Sequence, residues 1–418
     1  QDVSNVNCWK KIYEVSDKDI WNIRMELRSD LINFAKNRLQ EELTRRDTNP
    51  HGLMQVMDVL NPETLTIGFA RRFATYKRAH LLFRNMDRLK NIVNNLTQAV
   101  QFIFAGKAHP ADKAGQDLIK RIVEISRMPD FVGKIIFLEN YDVEVAKKMV
   151  QGVDIWMNTP TRPLEASGTS GEKAIMNGVL NLSVLDGWWA EGYRKNAGWA
   201  LREEQTYENN YFQDELDAEA IYYYIENEIA PAYYDQDEDG VPSKWVSYIK
   251  KNIAEIAPNF TMRRQLDDYY KQYYTNLFAR SAKLNENEGE LALAIAKWKV
   301  KVLNNWEQIK PISCFCPDAT NSPLLMGDAC HFEIVLNIGA LTIDDIGVEL
   351  VFGQKHNDQV EHIISKQILD PIHQQGVEAH YACDIMTDTS GVFDYAFRIF
   401  PKNENLVYRQ DFNLVKWV

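Results

Sequence analysis

The chain has 418 residues, of which 45% are hydrophobic and 25% charged, enough apolar material for two or three cored domains. Its formal net charge of -12 excludes a broadly basic nucleic-acid footprint, so any anion site must be a local cluster of cations. No apolar run approaches the roughly 20 residues that cross a bilayer. With five sparse cysteines, an odd number, the composition reads as a cytoplasmic protein with reduced thiols, no membrane contact and no nucleic-acid partner.

The entry at Asn7-Cys8-Trp9-Lys10, with no initiator methionine before it, suits a C-terminal part of something longer. Ser16 and Asp19 make a capping-box-like start, and Ile20, Ile23, Leu27, Leu31 and Phe34 recur at helical spacing, predicting a helix to about Arg46. Short apolar runs follow at 65–69, 101–105, 134–138, 154–157 and 181–184, alternating with helical patterns near 80–86, 112–126, 143–150 and 172–177. That alternation predicts a doubly wound parallel sheet, whose ligands bind beyond the carboxyl ends of the strands. Residues from about Asp214 to Trp306 read as helical, and after Pro311 the pattern turns to β-type alternation, predicting a small β-sandwich. The chain thus divides into a helical segment 1–60, an α/β domain 61–310 with a helical C-terminal part, and a β-rich domain 311–418.

Two loops carry candidate chemistry. Arg71, Arg72, Lys77 and Arg78 follow the first buried strand, where Arg72 and Lys77 offer a fork and a point charge to one phosphate. Cations at a helix N-terminus oppose the macrodipole and demand an anion; the other reading is a solvated basic helix start. The second loop, Ala166 to Lys173, is small and rich in glycine and hydroxyls, as anion-cradling loops are, yet it lacks the Walker A order. Lys173 precedes Ala174, Ile175 and Met176, and is either an amine desolvated for Schiff-base chemistry or a surface lysine. Two patterns mislead. Asp235, Asp237, Asp239 and Gly240 open like a calcium loop but reach Val246 where a glutamate is required, and Cys314, Cys316 and Cys330 lack zinc spacing, so no metal is expected.

The motifs together resemble the glycogen and α-glucan phosphorylases. Arg71 to Arg78 is similar to the family's phosphate-binding segment, Gly106-Lys107-Ala108-His109-Pro110 to its Gly-Lys-Ala turn, and Phe137 to Val143 to its Phe-Leu-Glu-Asn-Tyr segment. Glu165 to Lys173, with Asn177-Gly178 and Leu185-Asp186-Gly187, resembles its cofactor-lysine motif. The likeness is strong from Ser16 to Tyr193 and nearest to the short bacterial branch, with Glu172 where the family usually has Met and Ala74 where muscle-type enzymes carry His. From Asp318 onward it extends only to that branch's C-terminal extensions, to which no function is assigned.

The resemblance implies the C-terminal, Rossmann-like domain of a GT-B fold, with pyridoxal 5′-phosphate (PLP) on Lys173. It implies phosphorolysis of terminal α-1,4-glucosyl bonds of glycogen, starch or maltodextrin, giving α-glucose 1-phosphate with retention. Lys173, Arg72, Lys77 and Glu165 would be catalytic. Arg71, Tyr141, Val143, Gly168, Thr169 and Ser170 would hold the cofactor, and Glu165, Ser167, Gly168, Arg72 and Lys77 the sugar and inorganic phosphate. An N-terminal GT-B domain would complete the cleft, and the resemblance is compatible with a homodimer. The rival readings are a glycogen-synthase-type glycosyltransferase, whose second glutamate would fall at Lys173, and a non-catalytic glucan-binding half-protein.

Overall fold

The computed structural model describes residues 5–45, 50–201, 209–316, 327, 329–356, 359–386 and 393–418. The chain forms two compact units, Gln1–Tyr270 and Lys271–Val418.

In the first unit, the apolar runs become strands β1 (Leu65–Ala70), β2 (Val100–Ala105), β3 (Ile135–Leu138), β4 (Ile155–Asn158) and β5 (Leu180–Val184), every residue of them buried. A sixth strand, β6 (Gly198–Leu201), is an addition to the sequence reading. The strands are parallel in the order β3-β2-β1-β4-β5-β6. Because the winding reverses between β1 and β4, the crevice beyond their carboxyl ends is the topological switch point where such sheets place their ligands.

The sheet is covered by α1 (Asp17–Arg45), α2 (Met86–Val93), α3 (Lys113–Ser126), α4 (Val143–Gly152), α5 (Ser170–Met176) and α6 (Asn210–Tyr224), among others. Ser16 starts α1 as the sequence implies, its hydroxyl accepting from the Asp19 amide at 3.1 Å and donating to the Asp19 carboxylate at 2.7 Å. The helix expected over 80–86 is a correction. A 3-10 turn spans Leu81–Phe83, and α2 begins only at Met86, where the Asn85 side chain caps the Arg88 amide.

Two arginines of α1 turn inward to the other end of the sheet. Arg28 meets Asp154 at 2.6 Å, Asp154 accepts the Thr66 amide at 2.9 Å, and Arg24 donates to the carbonyls of Val153 and Asn177 at 2.6 and 2.9 Å. Trp21 and Tyr233 flank the Arg28 guanidinium. Burial pulls the Arg24 guanidinium down to about 10, against the opposing pull of Asp154.

The second unit starts within the helical stretch, because α7 (Glu290–Asn305) and the residues after it give Val302, Trp306 and Ile309 to its core. The rest is antiparallel: β7 (Lys310–Phe315), β8 (Ala329–Asn337), β9 (Ile346–His356), β10 (Gln359–Ile368), β11 (Asp370–Gln375), β12 (Glu378–Met386), β13 (Phe393–Pro401) and β14 (Lys416–Trp417). They form two four-stranded sheets, β10-β9-β13-β14 and β11-β12-β8-β7, around a core that includes Ile334, Leu336, Val348, Leu350, Tyr381 and Phe397. Among the described residues no helix is long and apolar enough to cross a membrane, and no His, Cys, Asp and Glu group could hold a metal ion. The calcium-loop look-alike is an aspartate turn, in which Asp237 accepts the amides of Asp239 and Val241 at 3.0 and 2.9 Å.

Candidate active site

β1 ends by delivering Arg71, whose amide bonds Ala105 at 3.2 Å, while the next turn is pinned by the Phe73 amide on Lys107 at 2.9 Å. Phe73 is buried against Phe69 and Phe137, which leaves Arg72 exposed beside it. Thr75–Lys77 then form a 3-10 turn ended by Arg78 in the left-handed region, at φ 53°. The basic segment therefore heads no α-helix, and the macrodipole argument for an anion does not apply. Arg71, Lys77 and Arg78 meet carboxylates of the protein instead.

Glu165 is the centre of that arrangement. Lys77 Nζ lies 2.5 and 2.7 Å from the two Glu165 oxygens, and Arg71 Nη2 lies 2.6 Å from Oε2. The other Arg71 nitrogen donates to Asn158, which donates to Ser167 at 3.1 Å and to Ser183 at 3.3 Å. Ser167 and Ser183 share a further bond of 2.8 Å. Burial lowers the Arg71 guanidinium below its ordinary value, opposed by Glu165. Of the three charged side chains Glu165 is the most open, at 31% against 14% for Arg71 and 6% for Lys77. Arg72 points to the Tyr76 hydroxyl at 3.3 Å, and the Tyr76 ring lies under Lys77 at 5.0 Å.

Arg78 ties the two loops of the switch point together. It donates to the carbonyls of Thr159 and Pro160 at 2.9 and 3.2 Å, and is held by Asp214 at 3.1 Å and Asp217 at 2.5 Å. The Thr161 amide adds a bond to the Tyr76 carbonyl at 2.7 Å. Burial raises the Asp217 carboxyl; at Asp214 burial is outweighed by bonds from His80 and Arg78, and its carboxyl falls. Sequence reading missed Asn158, Ser183, Asp214 and Asp217 as supports, since no local spacing links them to the basic segment.

Gly187 lets the segment from Ala166 to Lys173 approach the end of β5. Its φ is 55°, and a Cβ there would lie 2.8 Å from the Ala166 side chain and 3.0 Å from the Ser167 carbonyl. Beyond Ser167, a Cβ on Gly168 would meet no atom within 4 Å, so there is room over this turn. Thr169 is exposed, and Ser170 accepts the Trp156 indole N–H at 3.2 Å. One turn into α5, Lys173 is exposed while Ala174 and Ile175 are fully buried. Of the two readings of Lys173, the exposed one matches the structure: successive helical residues diverge by about 100°, and the apolar neighbours face the core. Glu172 is half-buried, which raises its carboxyl, with Lys173 and Arg264 opposing. Tyr141 and Val143 lie past β3, across β2 from β1; Tyr141 is half-buried, which raises its phenol, and Val143 is 85% exposed.

The structure thus brings Arg71, Lys77, Glu165 and Ser167 into one network, with Gly168, Thr169, Ser170 and Lys173 following along the same segment and Arg72 on its rim. These features define a doubly wound α/β protein with a cation–carboxylate cluster at its switch point, followed along the chain by an exposed lysine.

Comparison with known proteins gives the family. The carbohydrate phosphorylase profile matches residues 33–273, and the glycogen phosphorylase C-terminal domain profile matches residues 306–418. The chain is 34% identical to the maltodextrin phosphorylase of Thermococcus litoralis over 415 residues, covering 98% of this chain and 47% of that protein. It is 47% identical to the glycogen phosphorylase of Aquifex aeolicus over 271 residues, 65% of this chain and 39% of the other. With the glycogen phosphorylase of Mycobacterium bovis the identity is 31% over 97% of this chain and 47% of the relative. The chain belongs to the carbohydrate phosphorylase family. It spans about half the length of the relatives it matches end to end.

Proposed function

We propose that this chain supplies the cofactor and phosphate half of an α-glucan phosphorylase, a glycosyltransferase that cleaves terminal α-1,4-glucosyl bonds with inorganic phosphate. The observation that carries this reading is that Glu165 joins the basic segment to the cofactor-lysine segment at the switch point. Family members named maltodextrin and glycogen phosphorylase support the substrate class.

The residues present fit PLP: Lys173 offers an accessible amine, and the turn at Gly168 leaves space before it. PLP, when bound, supplies a phosphate group that can carry a proton beside the substrate phosphate. Lys173 would hold it covalently, with Arg71, Tyr141, Val143, Gly168, Thr169 and Ser170 around it. Arg72 and Lys77 would bind and orient inorganic phosphate, screening the repulsion between two dianions. Glu165 would accept hydrogen bonds from sugar hydroxyls, helped by the Ser167 and Gly168 backbone, since the Ser167 hydroxyl is already shared with Asn158 and Ser183. The product would be α-glucose 1-phosphate with retention. A GT-B partner domain, N-terminal to these residues, would close the crevice and exclude water; a cytoplasmic location and a homodimer agree with the same reading.

The test is to incubate the chain with PLP, reduce with borohydride and map the label, then assay phosphate-dependent release of glucose 1-phosphate with and without the missing half of the family's sequence. A label on Lys173 and release that needs phosphate are expected. Absence of label from Lys173 would sink the proposal.

A further inference from the structure

The carboxylate assigned to the sugar is held by Lys77, assigned to phosphate, and by Arg71, assigned to the cofactor. Lys77 touches both Glu165 oxygens and Arg71 touches one, so the ammonium that would receive phosphate is already taken by the protein's own anion. Two cations this far from water need a counter-charge in the ligand-free chain, because an unpaired ammonium in such a place is costly. Phosphate presents the same chemistry as a carboxylate, with more oxygens and more charge. The two anions compete for one set of donors.

Three observations mark Glu165 as the member that exchanges. It is the most exposed of the three side chains, at 31%. It stands in the stretch 159–169, which has turns but no helix or strand, and a Cβ on nearby Gly168 would meet no atom within 4 Å. Its cations, by contrast, are anchored: Arg71 by Asn158 at the end of β4, and the Lys77 turn by Arg78 on Asp214 and Asp217 of α6.

We propose that Glu165 is an internal stand-in for phosphate: it occupies Lys77, beside Arg71, in the ligand-free chain, and incoming phosphate displaces it from Lys77 toward the sugar hydroxyls. Phosphate binding then readies the sugar site, and by linkage a bound sugar that holds Glu165 away raises the affinity for phosphate by the same factor. This rests on the reading of Lys77 as a phosphate ligand.

Calorimetric titration of the full chain with inorganic phosphate, without glucan, tests it. Glu165→Gln keeps the shape and removes the competing charge, so its dissociation constant should fall on the order of tenfold, about 1.4 kcal/mol. Unchanged or weaker binding in the variant, or no binding by either protein, overturns the proposal. Glu165→Ala, checked for folding by circular dichroism, removes the same charge if the Gln variant unfolds. Labelling of Lys173 by PLP and borohydride in the same preparations separates the two ideas. Label without an affinity gain sinks the stand-in alone, whereas a gain without label sinks the phosphorylase reading and leaves the anion exchange standing.

Discussion

The same two strands, β1 and β4, carry a cluster of two cations and one carboxylate at each end. At the amino ends Arg24 and Arg28 hold Asp154, with side-chain exposures of 3%, 0% and 0%. At the carboxyl ends Arg71 and Lys77 hold Glu165, with exposures of 14%, 6% and 31%. The charges are alike; only the access of the anion differs. The closed cluster is roofed by α1, by Trp21 and by Tyr233, and spends its remaining donors on backbone carbonyls. The open cluster lies where the doubly wound topology leaves a crevice. One end is built to stay shut, the other to trade its anion.

Lys173→Ala should have the largest effect of all on function, abolishing the borohydride-fixed cofactor label while leaving the unfolding transition where it was. A variant that retains the label would place the anchor elsewhere. Asp154→Ala should do the reverse, costing about 3–5 kcal/mol of stability by leaving two arginines buried without their anion. Denaturant unfolding reads it, and a loss no greater than that of Glu165→Gln would erase the contrast between the two ends. Arg72→Ala should keep the label and weaken phosphate binding about tenfold, the scale of one lost charge-assisted bond; normal phosphate affinity would remove Arg72 from the site. Gly187→Ala should cost about 1–2 kcal/mol, because a left-handed residue gains a side chain against Ala166. Thermal unfolding would show it, and an unshifted midpoint would mean that the cofactor-lysine segment gives way freely.

The first five strands, the start of α1 at Ser16 and the two loops at Arg71 and Glu165 were legible because each is a local pattern: apolar runs, a cap, a charge run, a glycine-rich turn. The helix over 80–86 was misread, since a second 3-10 turn at Leu81–Phe83 takes its place and the helix starts only at Met86, behind the Asn85 cap. The burial of Lys77 and the exposure of Lys173 were likewise beyond local reading.

The sequence by itself determined which charged groups the chain carries, the basic segment, Glu165 and Lys173, in the order that marks the phosphorylase family. Only the tertiary structure decided who meets whom. Glu165 stands 94 positions from Arg71 and 88 from Lys77, and Asp214 stands 136 from Arg78. Such pairings follow from strand order and crossover winding, which set distances that periodicity along the chain does not encode.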